Sequence, residues 1–261
     1  MDLNQIVFGI YPYIALAVLV LGSVIRFDRE PYTWRTGSSQ LLRRKQLVAG
    51  SVLFHLGVLA IFGGHFVGLL TPIWVFDALG VPHGAKQMLA IVAGGGAGLL
   101  ALAGGGLLLH RRLFDPRIRK TSSFGDTAIL AILMLQLTLG LATIPLSLQH
   151  RDGHEMLKFM NWAQGIFTFR AGSADFVADV HWVFKAHLAL GMTILLVFPF
   201  TRLVHMLSAP IWYLNRRGWQ LVRTKRVLPR RPEAVAPTYS ATHPPLAAVQ
   251  PAPGKTRKAA T

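Results

Sequence analysis

Apolar positions in this chain run in unbroken blocks rather than in the periodic pattern of a soluble core. Five blocks, at about 4–25, 47–70, 86–110, 125–148 and 182–206, each match the roughly 20 residues a helix needs to cross a bilayer. Connections that differ in length and basicity separate them, the longest from Gln149 to His181. After the last block the chain changes character: VLPRRPEAVAPTYSATHPPLAAVQPAPGKTRKAAT is rich in Pro and Ala and poor in large apolar residues, which predicts a disordered tail. The pattern therefore predicts an all-α, polytopic membrane protein with five transmembrane helices over 1–226, followed by a cytoplasmic tail over 227–261.

Charge adds direction. Of the 261 residues only 15% are charged, where a soluble domain carries about a quarter. The segment from Arg26 to Lys45 holds six Lys/Arg, and Thr71 to Ala85 holds none. Arg111 to Lys120 holds five, Gln149 to His181 three, and eleven follow from Arg202 onward. Basic connections stay in the cytoplasm, so the N-terminus is expected outside and the C-terminus inside. The net charge of +16 does not indicate nucleic acid, because the basic residues are sorted by topology rather than gathered on one face. The opening MDLNQIVFGIYPYIALAV lacks the basic stretch of a cleaved signal, which predicts that the first helix is retained.

The chain has no cysteine. That excludes disulfides, thiolate zinc sites, iron–sulfur clusters and covalently attached c-type haem within it. Any metal cofactor must use other ligands, and histidine is the available one.

Four of the ten histidines lie inside apolar blocks: His55 and His65 in the second, His187 and His205 in the fifth. An uncompensated polar side chain in lipid is costly and marks function. The second block runs from inside to outside and the fifth returns. Depth therefore pairs His55 with His205 near the inner face and His65 with His187 toward the outer face. On ideal helices the axial separations would be about 15 Å and about 27 Å, a mismatch that a bend at Pro199 would absorb. Each pair would place one imidazole on either side of a flat metal macrocycle, so the residues indicate two bis-histidine b haems. A transporter using the same histidines as proton or metal relays is the rival reading, and it predicts no haem.

The other polar positions carry less. His83, His150, His154 and His181 fall in or beside outer connections, where solvated surface is expected. His110 borders the inner interface and His243 lies in the tail. Lys185 and Arg202 are positioned to pair with haem propionates at the outer and inner ends. Gly63 and Gly64 precede His65, either to let a cofactor or substrate approach or to pack helices. The glycines of the third block, Gly94 to Gly98 and Gly104 to Gly106, are expected to pack helices closely. Lys86 starts that block at the outer boundary, where an ammonium either snorkels to the interface or serves a site.

Several stretches together resemble one family. They are IYPYIA at 10–15, YTWR at 32–35, FHLGVLAIFGGHFVGLLTP at 54–72 and AKQ at 85–87. RRLFDPR at 111–117, LATIPLSLQHRDG at 141–153, NWAQ at 161–164 and HLALGMTILLVFPFTRLVH at 187–205 continue the match. Their order and spacing resemble the gamma subunit of respiratory nitrate reductase, the membrane cytochrome b of that complex, from about residue 5 to about 225. The resemblance implies His65 and His187 as ligands of the outer haem and His55 and His205 as ligands of the inner one. It also implies quinol oxidation near the outer haem, with Lys86, Gly64 and His65 at that site. Electrons would pass to an iron–sulfur beta subunit and a molybdenum-containing alpha subunit on the cytoplasmic face of a bacterial inner membrane. The tail from 227 departs from the family's shorter ending. A related di-haem cytochrome b serving another cytoplasmic reductase would share the haem sites and differ only in its partner.

Overall fold

A computed structural model describes residues 2–34, 42–149 and 152–208. The proposed tail over 227–261 lies outside those residues, as do His150 and His243. Regular structure among the described residues is helical. Five helices are long and apolar enough to cross a membrane: Leu3–Arg29 (α1), Arg44–Leu70 (α2), His83–Phe114 (α4), Phe124–Ser147 (α6) and one starting at Trp182 (α8, Trp182–Val197) that a 3₁₀ turn extends to Phe200. Three shorter helices, Ile73–Ala78 (α3), Pro116–Thr121 (α5) and His154–Phe167 (α7), lie in the connections.

The long helices pack in the order α2, α4, α6, α8, α1. The α2–α4 seam is the closest, and glycines make it so. A β-carbon at Gly57 would lie 2.6 Å from the Ala97 carbonyl oxygen and the Ala101 nitrogen, and one at Gly104 would overlap the backbone of Gly50 and Phe54. Small residues let two backbones touch where lipid offers no hydrophobic drive to associate. The packing expected of the third block therefore holds at Gly104, and also at Gly98 and Gly105 against Leu141 and Met134 of α6. Gly94, Gly96 and Gly106 face open space.

Proline shapes α1 and α8. Pro12 has no N–H, so the Phe8 carbonyl one turn earlier loses its helical donor. The chain widens there into a π turn over Ile6–Ile10, in which the Tyr11 N–H reaches the Ile6 carbonyl. The buried Trp162 of α7 donates its indole N–H to the Phe8 carbonyl at 2.9 Å. This bond ties the start of the chain to the α7 connection within a small core of Phe8, Trp162, Ile166, Val177 and Phe184.

At Pro199 the fifth span departs from its sequence reading. An α-helix to 206 does not form. α8 ends at Val197, Phe198–Phe200 forms a 3₁₀ turn, Thr201 is extended, and Arg202–Ser208 is 3₁₀ again. Pro199 can neither donate to the preceding turn nor accept its carbonyl sterically. Arg26 of α1 takes up the released acceptors, donating to the carbonyls of Pro199 at 2.6 Å and Thr201 at 2.8 Å. His187 and His205 are thus not on one continuous helix face. A second small core, Ile129, Phe198, Leu203 and Val204, holds this end.

The two buried cores sit at opposite ends of the bundle. Between them α2 and α8 pack only sparsely against each other, and the slot this leaves is where the histidines meet.

Candidate functional site

The imidazoles of α2 and the fifth span face each other in two pairs. His55 and His205 have ring centroids 6.2 Å apart, and His65 and His187 6.3 Å apart. A first-row metal bound by two imidazole nitrogens at about 2.0 Å each sets the centroids roughly 6 Å apart. The spacing therefore leaves room for one metal ion in each pair and for nothing bulkier along that line. The pairing matches the depth argument, and the chain leaves the straight helix on which the spacing mismatch was reckoned at Val197.

Hydrogen bonds fix the ring chemistry. The Nδ1 of His55 lies 2.7 Å from the Ser51 carbonyl, that of His65 2.9 Å from the Ile61 carbonyl, and that of His205 2.5 Å from the Arg202 carbonyl. A carbonyl only accepts, so each Nδ1 carries the proton and each Nε2 keeps its lone pair. That is the tautomer a metal-ligating imidazole needs, with its other nitrogen oriented by the backbone. The Nδ1 of His187 is buried with no hydrogen-bond partner among the described residues. Its ring lies against Gly140 of α6, where a β-carbon would approach Cε1 to 3.0 Å, and Gln136 of α6 donates to the His187 carbonyl at 3.1 Å.

The ligand count narrows what fits. Among the described residues no three His, Cys, Asp or Glu side chains converge on a point. Two imidazoles alone do not complete the coordination of a bare ion, so a metal here must bring its other ligands with it, as haem iron does. The α2 side of the slot is open around the histidines. Both His55 and His65 are exposed on α2, and a β-carbon at Gly63, Gly64 or Gly68 would meet nothing within 4 Å. Of the two readings of Gly63 and Gly64, helix packing is the one the structure does not bear out.

Charged groups flank the slot at both ends. At the basic end Arg202 lies 3.7 Å from Asp126, whose carbonyl also accepts from Arg112 at 2.5 Å. At the opposite end Lys185 donates to the Ala178 carbonyl at 2.5 Å.

Lys86 does not snorkel. It is 7% exposed, its Nζ lies 2.7 Å from the Met160 sulfur of α7 and 3.6 Å from the centre of the Phe76 ring of α3, and no ion pair among the described residues includes it. Burying an ammonium without a carboxylate is expensive, and a cation–π contact returns only about 2 kcal/mol when desolvated.

Sequence reasoning missed several neighbours. Phe76 and Met160 read as ordinary apolar residues, and nothing local marks them. Gly140 is one glycine in a leucine-rich helix. Gln136, a lone amide in an apolar span, is the one that carried a signal. His181, expected as solvated surface, is exposed but also caps α8, its Nδ1 accepting from the Val183 N–H at 3.3 Å.

Comparison with known proteins completes the description. The family model described as nitrate reductase gamma subunit matches residues 4–225. The respiratory nitrate reductase 1 gamma chain of Escherichia coli (strain K12) is 51% identical over 223 residues, covering 85% of this chain and 98% of that protein. The respiratory nitrate reductase 2 gamma chain of the same organism is 52% identical over 224 residues, covering 86% and 98%. The nitrate reductase gamma chain of Bacillus subtilis (strain 168) is 39% identical over 213 residues, covering 82% and 95%. With a helical bundle of five membrane-length spans and a match across nearly its whole described length, this chain belongs to the nitrate reductase gamma subunit family.

Proposed function

We propose that this chain is the membrane cytochrome b subunit of a respiratory nitrate reductase, with the four histidines as axial ligands of two b haems. The observation that carries the reading is the facing of the two histidine pairs at 6.2 and 6.3 Å across the sparsely packed slot between α2 and α8. His55 and His205 would hold the inner haem, and His65 and His187 the outer one. When bound, the haems accept electrons one at a time and carry them between the two membrane faces.

The chain's own residues supply position and electrostatics. Three backbone carbonyls hold the imidazole tautomers, and Gly140 admits the His187 ring. Lys185 and Arg202 would supply cations to the haem propionates at the outer and inner ends. Lys86, buried beside Phe76 and Met160, would donate to a quinol oxygen and stabilise the negative charge that develops as the hydroxyl is deprotonated. Gly64 and His65 would line the approach of quinol at that end.

The basic end carries Arg26, Arg44, Arg111 and Arg112, and the positive-inside bias makes it the cytoplasmic one. Quinol oxidation then occurs toward the outside of the bacterial inner membrane, and electrons leave inward. There an iron–sulfur beta subunit and a molybdenum-containing alpha subunit would receive them, so that nitrate is reduced in a partner and charge separates across the membrane.

The test is a dithionite-reduced minus oxidised visible spectrum of the purified chain with haem quantified as the pyridine haemochrome. Two b haems per chain are expected, and one in each of the His55→Ala and His187→Ala variants. A folded preparation without haem would overturn the reading in favour of a histidine-lined transporter.

A further inference from the structure

His83, expected as solvated surface, is instead paired. Its Nε2 lies 3.4 Å from Asp77 Oδ1, with the two side chains 32% and 55% exposed. Two neighbouring residues of α3 thus engage two residues one turn apart on α4: Phe76 covers Lys86, and Asp77 meets His83. Positions three apart share a helix face, so Lys86 and His83 form a short line from the buried ammonium toward water. A turn closed by Gly80, at φ 65°, returns the chain from Asp77 to this face, with the Gly80 N–H bonded to the Asp77 carbonyl at 3.0 Å. Gly153 packs on the His83 backbone, since a β-carbon there would come within 2.6 Å of the His83 carbonyl carbon.

The chemistry proposed for Lys86 is incomplete by itself. An ammonium can donate to a quinol oxygen but has no lone pair with which to accept the proton. His65 cannot take it either, with Nδ1–H given to the Ile61 carbonyl and Nε2 committed to a metal. On this basis, which rests on the quinol reading above, we propose that His83 accepts the quinol proton and passes it to outside water, with Asp77 as its positioning residue. At 3.4 Å the carboxylate is placed to orient the imidazole with Nε2 protonated, which leaves the Nδ1 lone pair as the base. In each step a quinol O–H bond breaks and an Nδ1–H bond forms, and the imidazolium then loses a proton to water. Two such steps clear both protons of one hydroquinone, whose two electrons go to the oxidant assigned above.

The test uses the full chain in its complex, a short-chain benzoquinol as donor, and a redox-inert quinone analogue for binding. His83→Gln should keep haem content and analogue affinity while slowing quinol-driven reduction by about 100-fold, the lower range for loss of a general base. The neutral imidazole is the acceptor, so the wild-type rate falls toward acid pH, and His83→Gln should lose that fall. Among the described residues the titratable groups nearest in the fold are Asp77 on α3, Lys86 one turn along α4, and Asp152, His154 and Glu155, which flank Gly153 in sequence, and none of them changes in this variant. Added imidazole should restore part of the rate. Asp77→Asn keeps the acceptor, so it should slow the reaction by about tenfold, less than loss of the base itself, with haem content and analogue affinity unchanged and the acid fall retained. An unchanged rate in this variant overturns the relay if His83→Gln does not fold. An unchanged rate and pH profile would overturn the relay, as would a slowed rate with weakened analogue binding and no rescue. Lys86→Ala separates the two failures: slow Lys86→Ala with normal His83→Gln removes only the relay, whereas normal Lys86→Ala removes the quinol site itself.

Discussion

Gly140 on α6 lies flat against the imidazole of His187, so close that a β-carbon there would come 3.0 Å from Cε1 and 3.6 Å from Nδ1. The rotamer of one proposed ligand is therefore set from a neighbouring helix. Gly140→Val should push the ring aside and release the outer haem while leaving the inner one. Haem per chain, read as the pyridine haemochrome, should fall from two to one with thermal stability lowered by roughly 1–3 kcal/mol for overpacking. Two haems in this variant would refute the link.

Lys86 is held by an aromatic face and a thioether rather than by a carboxylate. Lys86→Ala should leave both haem signals intact when dithionite is the reductant. With quinol as reductant the rate should drop by about 100-fold, the scale of losing one preorganised donor. Stopped-flow absorbance with each donor in turn measures the contrast.

The bond from Trp162 to the Phe8 carbonyl answers a donor that Pro12 removes. Trp162→Phe should cost about 1–3 kcal/mol, the range for a buried acceptor left unsatisfied. In a Pro12→Ala background the chain regains an N–H for that carbonyl, and the same substitution should cost less. A double-mutant cycle of thermal unfolding in detergent reads the difference. Equal costs in both backgrounds would show that the indole acts by packing alone.

Asp115, just beyond α4, joins the two basic connections. Its Oδ1 accepts from the N–H groups of Arg117 and Ile118 at the start of α5, and its Oδ2 lies 2.8 Å from Arg43 Nε. Burial opposes its charge, but those N–H groups and the Arg43 guanidinium outweigh it and hold the carboxyl below its usual range. A depressed pKa stabilises the folded state above the unfolded value of about 3.9, and that contribution is lost as pH falls through the folded one. Asp115→Asn should lower the melting temperature at neutral pH and lessen its further drop between about pH 5 and pH 2. A wild-type pH dependence in the variant would assign the acid sensitivity elsewhere.

Much of this was legible in the chain. Five long apolar blocks predicted the spans, because crossing lipid demands length and leaves little room for competing structure. Depth and direction predicted the pairing of His55 with His205 and His65 with His187, and the rings do meet that way. The local geometry around the prolines was harder. Pro199 was visible as a bend, but whether the helix would resume after it depended on Arg26, which is distant in sequence and takes up the freed carbonyls. Lys86 was ambiguous for a similar reason: exposure is a tertiary property, and Phe76 and Met160 come from two other connections. His83 read as surface because the partner that changes its character, Asp77, meets it only through the turn at Gly80.

The stop at Val197 has a further consequence. In an unbroken helix, adding or deleting one residue rotates everything beyond it by about 100°. Here the extended Thr201 and the turns around it interrupt that transmission. A change in chain length between 198 and 201 would reposition His205 and leave His187 where it is. The His55–His205 and His65–His187 pairs are therefore independently adjustable, so the geometry of one can be changed by evolution or by an engineer without disturbing the other.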